Sequence, residues 1–408
     1  MAAVESLVVI GAGHAAGQLV ACLAQDGFAG AITLVGDEPH PPYQRPPLSK
    51  KFLAGEMDAD RLYLKPAAFY DKYGAKLLLG RRVTRIDRQA RTAVLEDGSQ
   101  LEYSALVIAT GSRPRRLALP GAELDGVFYL RGIDDVMTIR GRFAAGKSLV
   151  VVGGGYIGLE LAAVAVRQGL RVSVLEQAPR LMARGVGAIV SRFYERLHRE
   201  EGVVLHTGAA VLGFEGRNAV EHVVCGNDRV VADIVVIGAG AVPNVELAQE
   251  AGLTVENGIV VNERCLTGDP AIYAIGDCTN QFHPLFDRRL RFESVHNALE
   301  QARMVAAAIC GRALPAIQVP WFWSDQYDVK LQMAGLPDKH TESVVRGNPD
   351  HGRCFSVFYL ADGALIAVEA VNRAADFMMS KVLIAERAHV DRAKLADERV
   401  AVKDSRLV

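Results

Sequence analysis

The chain has 408 residues and only six cysteines, Cys22, Cys225, Cys265, Cys278, Cys310 and Cys354, with no CxxC or CxxxxC spacing among them. This argues against a redox dithiol and against a cysteine metal framework, and reads as free thiols in a reducing compartment. Charge of one sign is also missing: 46 lysines and arginines meet 47 aspartates and glutamates, a formal net charge of −1. No global field draws nucleic acid or anionic lipid, so a charged partner must be met by a local patch. The longest apolar stretch, Leu149 to Val166, approaches membrane-spanning length but contains four glycines and Glu160. It reads as strand, turn and helix. The first apolar run begins within a few residues of Met1, without a basic and apolar leader before it. The expectation is a soluble cytoplasmic protein that holds no metal and enters no membrane.

Half the residues are hydrophobic, ordinary for a globular protein, and the length allows two or three domains. The most informative stretch is Leu149 to Glu176, LVVVGGGYIGLELAAVAVRQGLRVSVLE. An apolar run ends in Gly153-x-Gly155-x-x-Gly158, a helix-length apolar segment follows, and a second short strand closes on Glu176. That order is the dinucleotide-binding βαβ fingerprint. Gly153 serves the tight turn, Gly155 the close approach of backbone to pyrophosphate, and Gly158 the packing of helix on sheet. Tyr156 and Ile157 lie between them, at the helix start where unpaired N–H groups face phosphate. Glu176 is positioned to accept from the ribose hydroxyls of NADH and to repel a 2′-phosphate. Arg180 and Arg184 follow closely and could hold such a phosphate.

The pattern occurs twice. Leu7 to Pro39 reads LVVIGAGHAAG and then ITLVGDEP, with Gly11-x-Gly13-x-x-Ala16 as its fingerprint. Two copies imply two dinucleotides. Aligning Pro39 with Pro179 sets Gly36 opposite Glu176, so the ribose acid of the first site is Asp37 or Glu38, with Asp37 preferred. His14, inside this fingerprint, reads as loop filler.

The linker Pro39 to Lys50, PHPPYQRPPLSK, carries five prolines that fix its backbone and deliver Arg45, Ser49 and Lys50 to defined places. Residues 51–75 read as helical. Arg81 to Arg91 is a basic run with strand alternation and reads as a solvated face. Ala109-Thr110-Gly111 is a small-residue turn at a strand end, suited to close approach by a cofactor. Gly276-Asp277 ends another apolar strand, and Asp277 is placed to hold a ribityl hydroxyl of FAD. Val295 opens a helix whose N-terminus suits the flavin edge where negative charge develops. From Pro320 the chain changes character, with both tryptophans in Trp321-Phe322-Trp323 and strand-like alternation beyond. Trp323 reads as core or, next to a flavin domain, as bordering the ring or a docking surface.

The motifs GAGHAAG, RPPLSK, ATG, GGGYIGLE, YAIGDC, ESVHNALEQA and PWFWSDQYDVKLQMAGL together resemble the FAD-dependent NADH:ferredoxin reductases of bacterial cytochrome P450 and ring-hydroxylating oxygenase systems. The likeness runs over essentially the whole chain. It implies an α/β, glutathione-reductase-like fold with two Rossmann-like domains and a C-terminal α+β domain. The expected boundaries are 1–114 with 245–319 for FAD, 115–244 for NAD, and 320–408. It further implies Lys50 beside the flavin and Glu160 facing the nicotinamide. The expected partner is a [2Fe–2S] ferredoxin docking near Arg303, Trp323, Lys381 and Arg387, with Arg392 also in the patch, and the protein is expected to be a monomer. Rival readings are a rubredoxin or quinone reductase, or a non-catalytic NADH-sensing flavoprotein.

Overall fold

The computed structural model describes residues 4–407. They divide into two compact units. The first comprises the chain up to Arg45, Ala59–Arg113 and Ala241–Gln318; the second comprises Pro46–Asp58, Pro114–Gly240 and the chain from Val319 onward.

In the first unit a five-stranded parallel sheet runs in the order Ile272–Ala274, Ala105–Ile108, Ser6–Ile10, Ala31–Gly36, Ala75–Leu79. The central strand is apolar on both faces because both faces are covered, as parallel sheets require. Helices His14–Asp26 and Val295–Ile309 cover one face, around a core that includes Leu19, Leu23, Val9, Val107 and Val305. The other face holds Val8, Ile10, Ile108 and Ile272 against Ile86 and Ile259 from the small sheets.

The second unit repeats this device. Its parallel sheet runs Val204–Thr207, Arg171–Glu176, Ser148–Val152, Ile234–Ile237, Val127–Tyr129. Helix Tyr156–Arg167 connects the central strand to Arg171–Glu176. The C-terminal part of this unit is a five-stranded antiparallel sheet over residues 321–371, packed on helix Ala374–Ala385. The fold is therefore α/β with a C-terminal α+β portion.

Residues 51–75 depart from the helical reading. Only Ala67–Lys72 is α-helical, flanked by the 3-10 turn Ala59–Arg61 and the strand Ala75–Leu79. Gly55 and Gly74 take positive φ and Pro66 stands at the helix N-cap, so the backbone is interrupted despite its apolar spacing. Of the aromatic residues there, Tyr70 is buried and Tyr73 is exposed.

Candidate active site

Both fingerprints are built by the same sterics. Gly11 has φ +108°, and a Cβ on it would lie 2.3 Å from the carbonyl oxygen of Ala109. Gly153 has φ +109°, and its Cβ would lie 2.5 Å from the carbonyl oxygen of Gly238. These glycines are demanded by the turn itself. Gly13 and Gly155 differ, because a Cβ on either meets no protein atom within 4 Å. Nothing in the polypeptide requires glycine there, and the open space leaves room for a ligand to approach closely. Gly158 needs its small size for packing, since its Cβ would fall 2.2 Å from the Gly153 carbonyl oxygen, whereas buried Ala16 is accommodated in the first copy.

The helices that follow begin at Gly13 and Gly155 with extended backbone and no side-chain cap. Their first N–H groups are left for an external acceptor, and the helix dipole favours an anion. By contrast, Ser294 caps Val295–Ile309 by accepting from Asn297 N at 3.1 Å. His14 Nδ1 is buried without a hydrogen-bond partner among the described residues. Burial, reinforced by the Arg45 charge, lowers His14 to about 4, so it is neutral at pH 7. An orphaned polar atom, open glycines and uncapped helix starts together fit a bound dinucleotide.

At the end of the second strand, Glu176 accepts Gly154 N–H at 2.7 Å through one oxygen and Ala178 N–H at 2.7 Å through the other. Each oxygen retains a lone pair for a ribose hydroxyl. Arg180 donates to the carbonyls of Val186 and Ala183, both at 2.8 Å, and is committed to its own loop; Arg184 is exposed. In the first copy, Gly36 cannot carry an acid, because its Cβ would sit 2.4 Å from that of Ala12. The two acids beyond it diverge. Asp37 is exposed and pairs with exposed Arg82 at 3.1 Å. Glu38 is half-buried and takes hydrogen bonds from Tyr43 and Arg45, both at 2.5 Å. Arg45 in turn lies close enough to feel the charge of Asp277.

Ser112 donates to Asp277 at 2.9 Å, and Thr110 exchanges hydrogen bonds with Asn244 at 2.7 and 2.8 Å, bracing the Ala109–Gly111 turn. Gly276 has φ +83° and its N–H is held by Gln301 at 2.7 Å. These residues, with Arg45 and half-buried Val295, belong to the first unit.

Lys50 belongs to the second unit. It follows the 3-10 turn Pro46–Ser49, which packs on helix Tyr156–Arg167. Its Nζ lies 2.7 Å from Glu160 and also donates to the Pro46 carbonyl at 3.2 Å. Glu160 is 4 % exposed. It is the one carboxylate on the buried face of an otherwise apolar helix, and it accepts from Ser49 at 2.5 Å and from Ser324 at 2.6 Å. Ser324 is a participant that sequence reasoning missed; its only signal was its place within PWFWSDQY. On the same helix Tyr156 packs against Phe322 with ring centroids 4.8 Å apart and donates to Met333 sulfur, while Ile157 is exposed. Trp323 lies 5.4 Å from Trp321, over which Lys381 sits at 5.4 Å.

Residues 5–302 match the pyridine nucleotide-disulphide oxidoreductase family, and residues 321–406 match its reductase C-terminal domain. This chain belongs to that family. As an oxidoreductase of this kind it is FAD-dependent and uses NADH. It is 44% identical over 414 residues to putidaredoxin reductase of Pseudomonas putida, covering 99% of this chain and 97% of that protein. It is 39% identical over 369 residues to a rubredoxin-NAD(+) reductase of Pseudomonas putida, covering 90% of this chain and 96% of that one. Among solved structures, the covalent putidaredoxin reductase–putidaredoxin complex matches with TM-score 0.96 and 44% identity, covering 98% of each chain. No helix of the described residues is long and apolar enough to cross a membrane.

Proposed function

We propose that this chain takes electrons from NADH and passes them through FAD, one at a time, to a [2Fe–2S] ferredoxin serving a cytochrome P450 or a ring-hydroxylating oxygenase. One observation carries the reading: two open dinucleotide cradles, at Gly13 and Gly155, occur in a chain whose six cysteines are all free. When bound, FAD supplies the redox chemistry, accepting two electrons from NADH and releasing them singly. With no dithiol in the chain, the residues' work is to bind, orient and exclude water.

In this reading Gly11, Gly13 and Ala16 admit the FAD pyrophosphate, and Ala109, Thr110 and Gly111 line its approach. Glu38 is the better ribose acid than Asp37, because Asp37 points to solvent beside Arg82. Arg45 contributes positive charge, Gly276 and Asp277 meet the ribityl chain, and Val295 opens the helix at the flavin edge. Gly153, Gly155, Tyr156, Ile157 and Gly158 receive NADH. Glu176 selects it over NADPH, a preference supported by the commitment of Arg180 to backbone carbonyls. In the second unit Lys50, oriented by Glu160, would offer positive charge to a cofactor that gains negative charge on reduction. The same reading makes the protein cytoplasmic and monomeric, supported on the first count by its free thiols.

The test is anaerobic stopped-flow absorbance of the yellow holoenzyme mixed first with NADH and then with a [2Fe–2S] ferredoxin. The expected result is flavin bleaching followed by reoxidation with matching iron–sulfur reduction. Transfer to rubredoxin or a quinone but to no ferredoxin would overturn the partner. Absence of bleaching would overturn the use of NADH.

A further inference from the structure

The contacts of Glu160 continue beyond Ser324. Gln326 Nε2 donates to Ser324 Oγ at 3.1 Å, Gln326 Oε1 faces His198 Nε2 at 2.8 Å, and the Tyr327 hydroxyl meets His198 Nδ1 at 3.0 Å. All of these residues lie in the second unit. Ser324 and His198 are fully buried, and Gln326 is 1 % exposed.

The direction of every bond follows from one end. An ionised carboxylate only accepts, so Ser324 must donate to Glu160 and its oxygen must accept from Gln326. This turns the Gln326 amide nitrogen toward Ser324 and its carbonyl oxygen toward His198. A carbonyl also only accepts, so His198 carries its proton on Nε2, and Nδ1 accepts from Tyr327. Burial holds His198 near 4, which keeps it neutral and compatible with this single tautomer. We propose that Tyr327, His198, Gln326 and Ser324 form a one-way hydrogen-bond chain that positions the Glu160 carboxylate as the partner of Lys50. Each donor polarises the next toward the carboxylate, in surroundings where water does not compete. None of the four need touch a cofactor; they are positioning residues.

The backbone at the outer end adds a second observation. Tyr327 has φ +58° in the two-residue turn between strands Trp321–Gln326 and Val329–Gly335. A bulky residue is strained there where glycine is preferred. The strain is accepted at the one position whose side chain terminates the chain on His198.

Other titratable groups also face these residues. Glu160 is approached by Lys50, by Tyr156 on its own helix and by Tyr194 from helix Ala188–Glu200, while Tyr327 is flanked by Arg167, Glu201 and Arg353. The consequence of the hydrogen-bond chain for Lys50 rests on the function proposed above.

The test uses oxidised holoenzyme carrying 15N-histidine and carboxyl-13C-glutamate, with signals assigned by their loss in His198→Gln and Glu160→Gln. His198 should show the Nε2–H tautomer and stay neutral through the range near pH 6.5 where an ordinary histidine titrates. The Glu160 carboxyl 13C signal should move in Ser324→Ala, and by less in Gln326→Leu and His198→Phe. Should the latter two fail to fold, Tyr327→Phe leaves the inner bonds intact and should move only the Nδ1 shift. An Nδ1–H tautomer, or an unmoved Glu160 carboxyl signal in Ser324→Ala, overturns the chain. The Nε2–H tautomer together with a moved carboxyl signal upholds it. If NADH bleaches the flavin of Ser324→Ala at the wild-type rate and pH profile, the chain stands, and what fails is the assignment of Glu160 to the cofactor.

Discussion

Glu176 ties off the loop that its own strand faces, accepting the Gly154 N–H at 2.7 Å. The carboxylate holds the glycine turn, and in the function proposed above it also meets the coenzyme ribose. Glu176→Ala should lower kcat/KM for NADH by about tenfold or more while narrowing the preference over NADPH, and should cost about 1–3 kcal/mol of stability from unmade hydrogen bonds. Steady-state kinetics with both coenzymes, beside thermal melts, separates the two duties. An unchanged coenzyme preference would remove Glu176 from the ribose site.

The two kinds of fingerprint glycine should respond oppositely to a methyl group. Gly155→Ala places its Cβ in open space, so the fold should be unharmed, within about 0.5 kcal/mol, while NADH binding weakens sharply. Gly153→Ala forces a Cβ to 2.5 Å from a carbonyl oxygen at φ +109° and should destabilise the protein outright. Melting temperatures and NADH titrations of the two variants would decide. Equal loss of stability in both would refute the ligand-facing reading of Gly155.

Glu369 should make the second unit's stability depend on pH. It is 2 % exposed, accepting from Gly187 N–H at 2.8 Å and Tyr359 hydroxyl at 2.7 Å. Burial raises its carboxyl from 4.5 to about 7. Between these values the folded protein keeps a proton that the unfolded chain has released, so stability falls as pH rises through that window, by up to about 3 kcal/mol. Glu369→Gln should flatten this dependence. Urea melts at pH 5 and pH 8, about the two ends of the window, would show whether the difference disappears.

Ferredoxin docking should depend on local charge, since the protein as a whole has almost none. In the second unit Arg387 is exposed and Lys381 covers Trp321 at 5.4 Å. Replacing both by Gln should slow ferredoxin reduction by about tenfold at low salt and by little at high salt. Arg392, expected in the same patch, is ion-paired with Glu342 at 2.7 Å. Arg392→Gln should therefore have the smaller effect, and an equal one would redraw the patch.

Much of this protein is determined by local sequence. The two fingerprints are legible because glycine spacing, apolar strand and following helix lie within one short segment each, and the positive φ at Gly11 and Gly153 belongs to the local turn, although the carbonyls a Cβ would meet come from distant Ala109 and Gly238. The absence of cysteine spacing is equally direct. The sequence reading prefers Asp37 to Glu38, but the surroundings of these adjacent acids are set by tertiary partners, Arg82 for one and Tyr43 with Arg45 for the other. The helical reading of 51–75 failed because Gly55, Pro66 and Gly74 broke the backbone more strongly than apolar spacing could organise it. The surroundings of Glu160 were decided by tertiary structure alone. Ser49 lies 111 residues before it, Ser324 follows by 164, and Gln326 and His198 are 128 residues apart. A serine or glutamine carries no local mark of such a role. Hydrogen-bond direction becomes fixed only when folding buries these groups beside a carboxylate and leaves them no water to turn to.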